Sequence, residues 1–450
     1  MGSAIRLDDP ELHTTKLSHD DAEFWRQNVS DLLQQRSTKF PGAQPVSFAR
    51  KHLRELKEQD YYVAEKTDGI RCLLYLDQTL AEGGQPQEAQ FLIDRKNDYY
   101  YISNGWLSVP LPNKDERTGK PRVPAYHIQT WHRGTILDGE LVRQVHKHGT
   151  QQLTYLMFDI LALDRQSVMD KPYNSRIGRF KTAVYEPWKA FAKDWPGEAK
   201  LQPFHLSVKN PQLSYGIEMM FKDVIPTLPH GNDGLIFTCL GTGYVPGTDK
   251  HILKWKPPHE NTVDFRLQYC EHPKEVDDEG EYEDYEQPPR IELHVNGGPN
   301  NMKGYHNFAE LHLTQEEWNA IMAKREMIDW RIIECWRDAD TGHWRPKLDD
   351  GYPRFRDDKT DANHYSVVTS VIESIEDAVS EQDLIREAGE IKRNWKARQA
   401  EQEQKQKARQ EEEQRRRHEA AKAQQAHQQQ APSKKEEVKE EEDDGPRYED

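Results

Sequence analysis

The chain has 450 residues, of which 35% are hydrophobic and 31% charged, and its formal net charge is −16. That length suits two or three domains, and the excess of charge over apolar content places part of the chain in a segment that buries no core. The acidic balance excludes a general, sequence-blind grip on nucleic acid, so any such contact requires a local basic groove.

The four cysteines, Cys72, Cys239, Cys270 and Cys335, lie far apart and form no CxxC pair. Neither a zinc site nor a disulfide framework is expected, and reduced thiols of an intracellular protein are. The start, MGSAIRLDDPELHTTK, lacks the apolar centre of a signal peptide, and no stretch reaches the length a membrane helix needs. The composition predicts a soluble protein of the cytosol or nucleus.

Residues 1–40 read as a polar helical segment, with Phe24, Val29, Leu32 and Leu33 at helical spacing. Pro41 and Pro45 in FPGAQPVSF break it. A short helix, ARKHLRELKEQ, leads into a strand at 61–65, and β runs then dominate to about 255: RCLLYL, AQFLID, YYYI, TILDGELV, TYLMFDILAL, DGLIFTCL and HILKWK. Helical patterns at 175–194 and 214–225 interleave with them. The class predicted is α+β with antiparallel sheet, and the first large domain runs over 41–258.

Pro257-Pro258 punctuates the chain, and short strands follow at 263–270, 290–295 and 331–336 around the acidic stretch EVDDEGEYEDYEQPP. They suit a small β-barrel over 259–372, an OB-fold. A helix beginning near Val371 and covering 373–395 is expected next. Residues 396–450 are a charged low-complexity tail, either a solvated single helix or disordered, ending in an acidic run.

Chemistry-bearing residues recur in order. EKTDGIR (65–71) sets Lys66 at a strand end before an Asp-Gly pair that alone reads as a hairpin turn. DGE (138–140) puts Asp138 and Glu140 on one face of a strand. Phe158-Asp159 follows, then Asp233-Gly234 before a buried strand, then Lys254 and Lys256 at period two in LKWKPP. Last comes RFRDDK (354–359), with Arg354 and Arg356 on one side of a short element. Each alone has a bland reading: a turn, an edge strand, a core aromatic or a surface charge cluster.

Together, in this order, they resemble the covalent nucleotidyltransferases, the mRNA capping enzymes and ATP-dependent polynucleotide ligases. The ordered signature is K-x-D-G, D-G-E, F-D, D-G and K-x-K. The full K-x-D-G-x-R from Lys66 to Arg71, the lead-in FPGAQPVSF and the Arg354–Lys359 run point to the fungal-type monofunctional mRNA guanylyltransferases. The resemblance covers about residues 40–395, and no triphosphatase region is visible.

The resemblance implies a reaction in two steps. Lys66 attacks the α-phosphorus of GTP and becomes a lysyl–GMP, and the 5′-diphosphate end of nascent RNA then takes the GMP as a 5′–5′ cap. It assigns the nucleotide to Glu65, Thr67, Asp68, Arg71, Glu140, Phe158, Asp233, Lys254, Lys256, Arg354, Arg356 and Lys359. Glu140 and Asp233 are oxygen ligands for Mg²⁺ or Mn²⁺. Phe158 offers a flat apolar face to guanine, and Asp68 orients Lys66. Arg354, Arg356 and Lys359 clamp the β- and γ-phosphates when the OB domain closes about a hinge near Lys256–Glu260. The implied partners are a separate RNA 5′-triphosphatase subunit and the phosphorylated C-terminal domain of RNA polymerase II, in the nucleus and at no membrane. The cations Lys171, Arg176, Arg179 and Lys181, interleaved with Tyr173 and Phe180, suit a phosphoserine as well as they suit a solvated helix start. The competing readings are an ATP-dependent ligase and a scaffold without catalysis.

Overall fold

Strand Tyr61–Thr67 alternates buried and half-buried positions, and strand Ile70–Leu80 starts after only Asp68 and Gly69. The two are not a hairpin, contrary to the simple reading of the Asp-Gly pair. Tyr61–Thr67 pairs with Asn232–Cys239, whereas Ile70–Leu80 pairs with Pro86–Ile93 and Thr135–Val145 in a different sheet. Close approach explains the crossing. A Cβ on Gly69 would stand 2.6 Å from Val142 Cγ1 and 2.7 Å from the Leu141 carbonyl, so only glycine passes between the sheets there. The Asp68 N–H donates to the Gly231 carbonyl at 3.0 Å and ties the crossing to the second sheet.

A computed structural model describes residues 5–80, 83–103, 105–115, 117–146, 149–257, 260–278, 280–338 and 340–429. Among them, an eight-stranded sheet runs in the order Thr14–Lys16, Tyr99–Ile102, Pro86–Ile93, Ile70–Leu80, Thr135–Val145, Gln151–Leu163 and Gln166–Ser167, with His205–Val208 also on Gln151–Leu163. A five-stranded sheet orders Gln212–Leu213, Tyr61–Thr67, Asn232–Cys239, Gly247–Trp255 and Ala43–Ser47. Strand alternation splits the larger core. Leu74 and Leu76 pack with Met157 against Tyr173, Ile177 and Phe180 of helix Tyr173–Phe180, while Leu73 and Tyr75 pack with Phe91 against Ala22 and Val29 of helix His19–Leu32.

The barrel is closed in the order Thr262–Glu271, Arg290–Gly298, Met302–Leu311, Trp344–Pro346 and Ile332–Arg337. Its core holds Phe265, Leu293, Ile333 and Trp344. This bears out the predicted α+β class with a small C-terminal barrel, and adds two strands whose mixed sequences hid them.

Two expectations need correction. The 1–40 segment is not only helical: Thr14–Lys16 joins the large sheet beside Tyr99–Ile102, and Leu7 and Leu12 are buried. Phe24 is exposed rather than part of the apolar stripe. The single helix over 373–395 is two, Tyr365–Glu376 and Glu381–Gln429. Ser380 and Asp383 break the run: the Asp383 N–H donates to Ser380 Oγ at 3.1 Å, and the Ser380 N–H donates back to Asp383 Oδ2 at 3.1 Å. That reciprocal cap starts a new helix. Its first turns return to the five-stranded sheet, where Val379, Leu384 and Ile391 join the core of Phe237 and Trp255.

The chain divides into two units, Met1–Lys392 and Arg393–Asp450. In the second, the described residues 393–429 are helical. Lys405 with Glu401, Arg416 with Glu412 and Arg417 with Glu413 pair at 2.5–2.6 Å, the i,i+4 spacing that supports a solvated helix lacking an apolar face. The acidic run expected at the end lies outside the described residues.

Candidate active site

Lys66 is half-buried between two buried neighbours, Glu65 and Thr67, near the end of its strand. Its ammonium donates to Asp233 Oδ1 at 2.6 Å and Oδ2 at 2.9 Å. Lys256 Nζ sits 2.8 Å from Asp233 Oδ2, so one carboxylate holds two lysines. Burial alone would push the Asp233 carboxyl up; Lys256 and then Lys66 overcome it and hold the group below the usual carboxylate range. Lys254 shares this cleft. Burial first, then Lys256, Lys66 and Arg95, depress its ammonium below the ordinary lysine value. Gly234, at φ +143°, lets the Trp255 carbonyl approach to 2.0 Å of where a Cβ would stand, which seats Asp233 against the Lys254–Lys256 strand.

Glu65 and Thr67 do not face the cleft with Lys66, because strand alternation turns them to the other side. The Glu65 backbone still contributes, since its carbonyl accepts from Lys209 Nζ at 3.3 Å. Asp68 is exposed above Gly231.

Arg71 and Glu140 are cross-strand partners, as are Leu73 and Asp138. The Arg71 guanidinium forks onto Asp138, with Nε to Oδ1 at 3.0 Å and Nη2 to Oδ2 at 2.6 Å, and Nη1 donates to the Ala43 carbonyl. Tyr244 Oη donates to Asp138 Oδ2 at 2.5 Å. Burial works against the Arg71 charge, but Asp138 outweighs it and holds the guanidinium above its ordinary value. Arg71 and Lys209 both stand over the Phe158 ring, 5.6 and 5.4 Å from its centroid, and Lys209 Nζ pairs with Glu140 Oε2 at 3.3 Å.

Lys209 joins the candidate site although no sequence pattern marks it, a lone lysine in SVKNPQ. The clamp behind Phe158 joins the aspartate of the Phe158-Asp159 motif to an arginine for which the sequence suggested a different place. There, buried Arg176 forks onto Asp159 at 2.7 and 2.9 Å and donates to the Lys171 and Thr242 carbonyls. Arg176, Tyr173 and Phe180 are all buried, which corrects their place in a phosphoserine-binding patch: they are packing and cannot meet a peptide.

Arg354, Arg356 and Lys359 lie together on the barrel. Arg354 and Arg356 each reach Glu334 at 3.4 Å, Arg356 also meets Asp264 at 3.2 Å, and Lys359 pairs with Asp264. Burial pushes the Glu334 carboxyl up, but the Thr262 hydroxyl and then Arg354, Lys347 and Arg356 bring it below its ordinary value. Among the described residues, none of the three cations hydrogen-bonds or ion-pairs with Lys66, Lys254, Lys256 or Asp233. Of the expected hinge, Pro258 and His259 lie outside the described residues; Glu260 beyond them pairs with Lys347 at 2.5 Å.

Among the described residues there is no group of three or more His, Cys, Asp or Glu side chains that could hold a metal. Asp233 is taken up by two lysines and one Glu140 oxygen by Lys209. The donor set fits Mg²⁺ or Mn²⁺ as one or two carboxylates completed by nucleotide phosphates, the usual mode for Mg²⁺, and not as an all-protein cage.

Two sheets meeting at a lysine–carboxylate cleft, followed by a five-stranded closed barrel, define a nucleotidyltransferase. Residues 7–258 match the model of the mRNA capping enzyme catalytic domain and residues 260–385 that of its C-terminal domain. The chain belongs to the mRNA capping enzyme family, whose substrate is GTP. The mRNA-capping enzyme subunit alpha of Neurospora crassa is 45% identical over 397 residues, covering 85% of this chain and 92% of that protein. Those of Schizosaccharomyces pombe and Saccharomyces cerevisiae are 40% and 36% identical, covering 82% and 80% of this chain and 84% and 81% of theirs. Among solved structures, mycobacterial DNA ligase D complexed with ATP and MES aligns at 15% identity and a TM-score of 0.31, over 71% of this chain and 94% of that one.

Proposed function

We propose that the chain is the guanylyltransferase of mRNA capping and that Lys66 carries the GMP. The observation that supports this most is the Lys66–Asp233–Lys256 cluster, which holds a primary amine at the mouth of a cleft with a second and third lysine beside it. In the first step the Lys66 nitrogen, once it has released a proton, forms a bond to the α-phosphorus of GTP. The bond from that phosphorus to the bridging oxygen breaks, pyrophosphate leaves, and the nitrogen loses its second proton. In the second step a terminal oxygen of a 5′-diphosphate RNA bonds to the same phosphorus, and the P–N bond returns its electrons to a reprotonated Lys66.

Lys254 and Lys256 meet the charge that develops on the phosphoryl oxygens. Phe158 stacks on the guanine, with Lys209 and Arg71 at the ring's face as donors to the nucleotide. Glu65 and Thr67 support the strand that carries Lys66, and Asp68 fixes the crossing that follows it. Glu140 and Asp233 would hold Mg²⁺ or Mn²⁺ together with the phosphates, and the ion would withdraw charge from the α-phosphate. Arg354, Arg356 and Lys359 grip the leaving pyrophosphate after the barrel closes, and Asp264 and Glu334 hold them ready for it.

The relatives are named subunit alpha, which supports a second subunit; an RNA 5′-triphosphatase fits, because it would supply the diphosphate end. The phosphorylated C-terminal domain of RNA polymerase II is the second partner and the nucleus the location. Among the described residues no helix is long and apolar enough to cross a membrane.

The test is incubation with metal and α-labelled GTP or ATP, followed by peptide mass spectrometry. GTP should leave one GMP on Lys66, pyrophosphate should remove it, and Lys66→Ala should take no label. Label from ATP alone would make the protein a ligase, and label on another side chain would overturn the assignment.

A further inference from the structure

A groove of about 560 Å³ opens beside the nucleotide cleft, lined by His19, Arg26, Lys39, Phe40, Arg95 and Lys96 among others. It is basic in a protein of net charge −16. Around the cleft, Lys254 apart, the cations are consumed: Lys66 and Lys256 by Asp233, Arg71 by Asp138, Arg176 by Asp159 and Lys209 by Glu140. In the groove, Arg26 is spent on Glu23 and the Asn97 carbonyl, but the side chains of Lys39, Arg95 and Lys96 have no hydrogen-bond or ion-pair partner among the described residues. All three reach solvent. Glu23 in the same wall is engaged by Arg26, so Lys39, Arg95 and Lys96 leave the groove locally positive, a field that attracts anions.

The wall of the groove adjoins the candidate site. Gln44 in its wall follows Ala43, whose carbonyl holds Arg71. Desolvation by the surrounding walls and then Arg71 hold the Arg95 guanidinium below its ordinary value, with Glu140 and Asp138 within range, and Arg95 in turn acts on Lys254. Arg95 is exposed in the groove and within electrostatic range of Arg71 and Lys254. Half-buried Phe40, packed on the core beneath, also lines the groove, and cations beside an aromatic side chain suit single-stranded nucleic acid.

We infer that this groove receives the RNA chain behind its reacting 5′ end, with Lys39, Lys96 and Arg95 on the backbone phosphates. The inference rests on the capping reading above. Continuity with the reacting residues favours RNA over a phosphorylated peptide, which has no need to adjoin Lys66.

The test uses the full chain with Lys39→Glu and Lys96→Glu combined. Three quantities are read: lysyl–GMP formation from GTP, GMP transfer to a diphosphate-ended RNA of about 20 nucleotides, and transfer to a diphosphate-ended dinucleotide. Lysyl–GMP formation should stay within twofold. KM for the long RNA should rise tenfold or more, with the dinucleotide's unchanged. The salt slope of long-RNA binding, read by fluorescence anisotropy, should fall by about 0.7 for each phosphate that is no longer neutralised. The milder Lys39→Ala, Lys96→Ala pair should shift the same way by less. An unchanged KM for long RNA, an equal rise for the dinucleotide, or a loss of phosphoserine-peptide binding with RNA untouched would each overturn the groove's assignment. Absence of any GMP adduct on the parent chain would instead overturn the capping reading, and RNA anisotropy would still read the groove.

Discussion

The Lys66 ammonium lies 2.6 and 2.9 Å from the two oxygens of Asp233. The proposed nucleophile therefore rests as half of an ion pair whose carboxylate also holds Lys256. Taking Asp233 away leaves Lys66, Lys256 and Lys254 facing one another. Asp233→Asn should lower stability at neutral pH by about 1–2 kcal/mol, between the worth of an exposed pair and a buried one. Because the folded Asp233 carboxyl sits below its unfolded value near ~3.9, its contribution is complete above about pH 5 and fades as pH falls through the folded value. Urea midpoints of the two proteins should differ at pH 7 and converge in strong acid. A gap that is constant with pH would count against the pairing.

Lys254 carries its charge at the expense of stability, as the proposed role beside the phosphate would require. Burial and three neighbouring cations depress its ammonium, so at neutral pH the folded state carries a charge it disfavours. Lys254→Met keeps the stem and removes the charge. It should raise Tm by about 2–4 °C, what ~1 kcal/mol gives a domain of this size, while cutting lysyl–GMP formation by at least ~100-fold. Calorimetry and adduct kinetics on one preparation read both. A lower Tm would show that Lys254 is paired after all.

Gly69 is constrained sterically. A Cβ would meet Val142 Cγ1 at 2.6 Å and the Leu141 carbonyl at 2.7 Å. The backbone must then lift away from the large sheet and carry Lys66 with it. Gly69→Ala should slow adduct formation by about 100-fold, the size of effect a shift of roughly 1 Å produces. GTP binding to the variant, read by equilibrium dialysis, should fall far less. Equal losses in binding and rate would place the damage elsewhere.

The Asp159–Arg176 pair is buried at both ends, with side chains 4% and 1% exposed. Arg176→Met leaves buried Asp159 without its counter-ion, with the Ile160 N–H still on one oxygen, and should cost about 3–5 kcal/mol, read as a lower urea midpoint. Arg179→Met, on the exposed side of the same helix, should cost well under 1 kcal/mol. Similar costs for the two would mean Arg176 is not the clamp described.

These cases mark what the sequence could disclose. Residue type and order pointed to Lys66, Asp138, Glu140, Asp233, Lys254 and Lys256, and alternation located the strands that carry them. Pairing in space is another matter. Asp68-Gly69 has the composition of a hairpin turn, and only the close packing of Gly69 on the Val142 strand makes it a crossing between sheets. Arg176 belongs to a run of cations that reads as solvated, yet its helix turns that one side chain onto Asp159. Lys209 has no local signal, because its partners Glu140 and the Glu65 carbonyl are remote in the chain. Ser380 and Asp383 form a helix cap that stands in the sequence, but the strong helix formers on either side conceal it.

Arg356 should distinguish the two half-reactions. It bridges Asp264, Glu334 and Asp358 on the barrel, and its proposed work, gripping the leaving pyrophosphate, belongs only to the first step. Arg356→Gln keeps some hydrogen bonding and removes the fork that suits phosphate. Lysyl–GMP formation should fall about 10- to 100-fold. Transfer from an adduct formed beforehand at high GTP should stay within about threefold, since no pyrophosphate is present in that step. A cross-link tying the barrel to the catalytic domain should likewise allow one half-reaction and block the other. Equal loss in both steps, for the variant or the cross-linked protein, would mean that these cations hold the barrel together and take no part in closure.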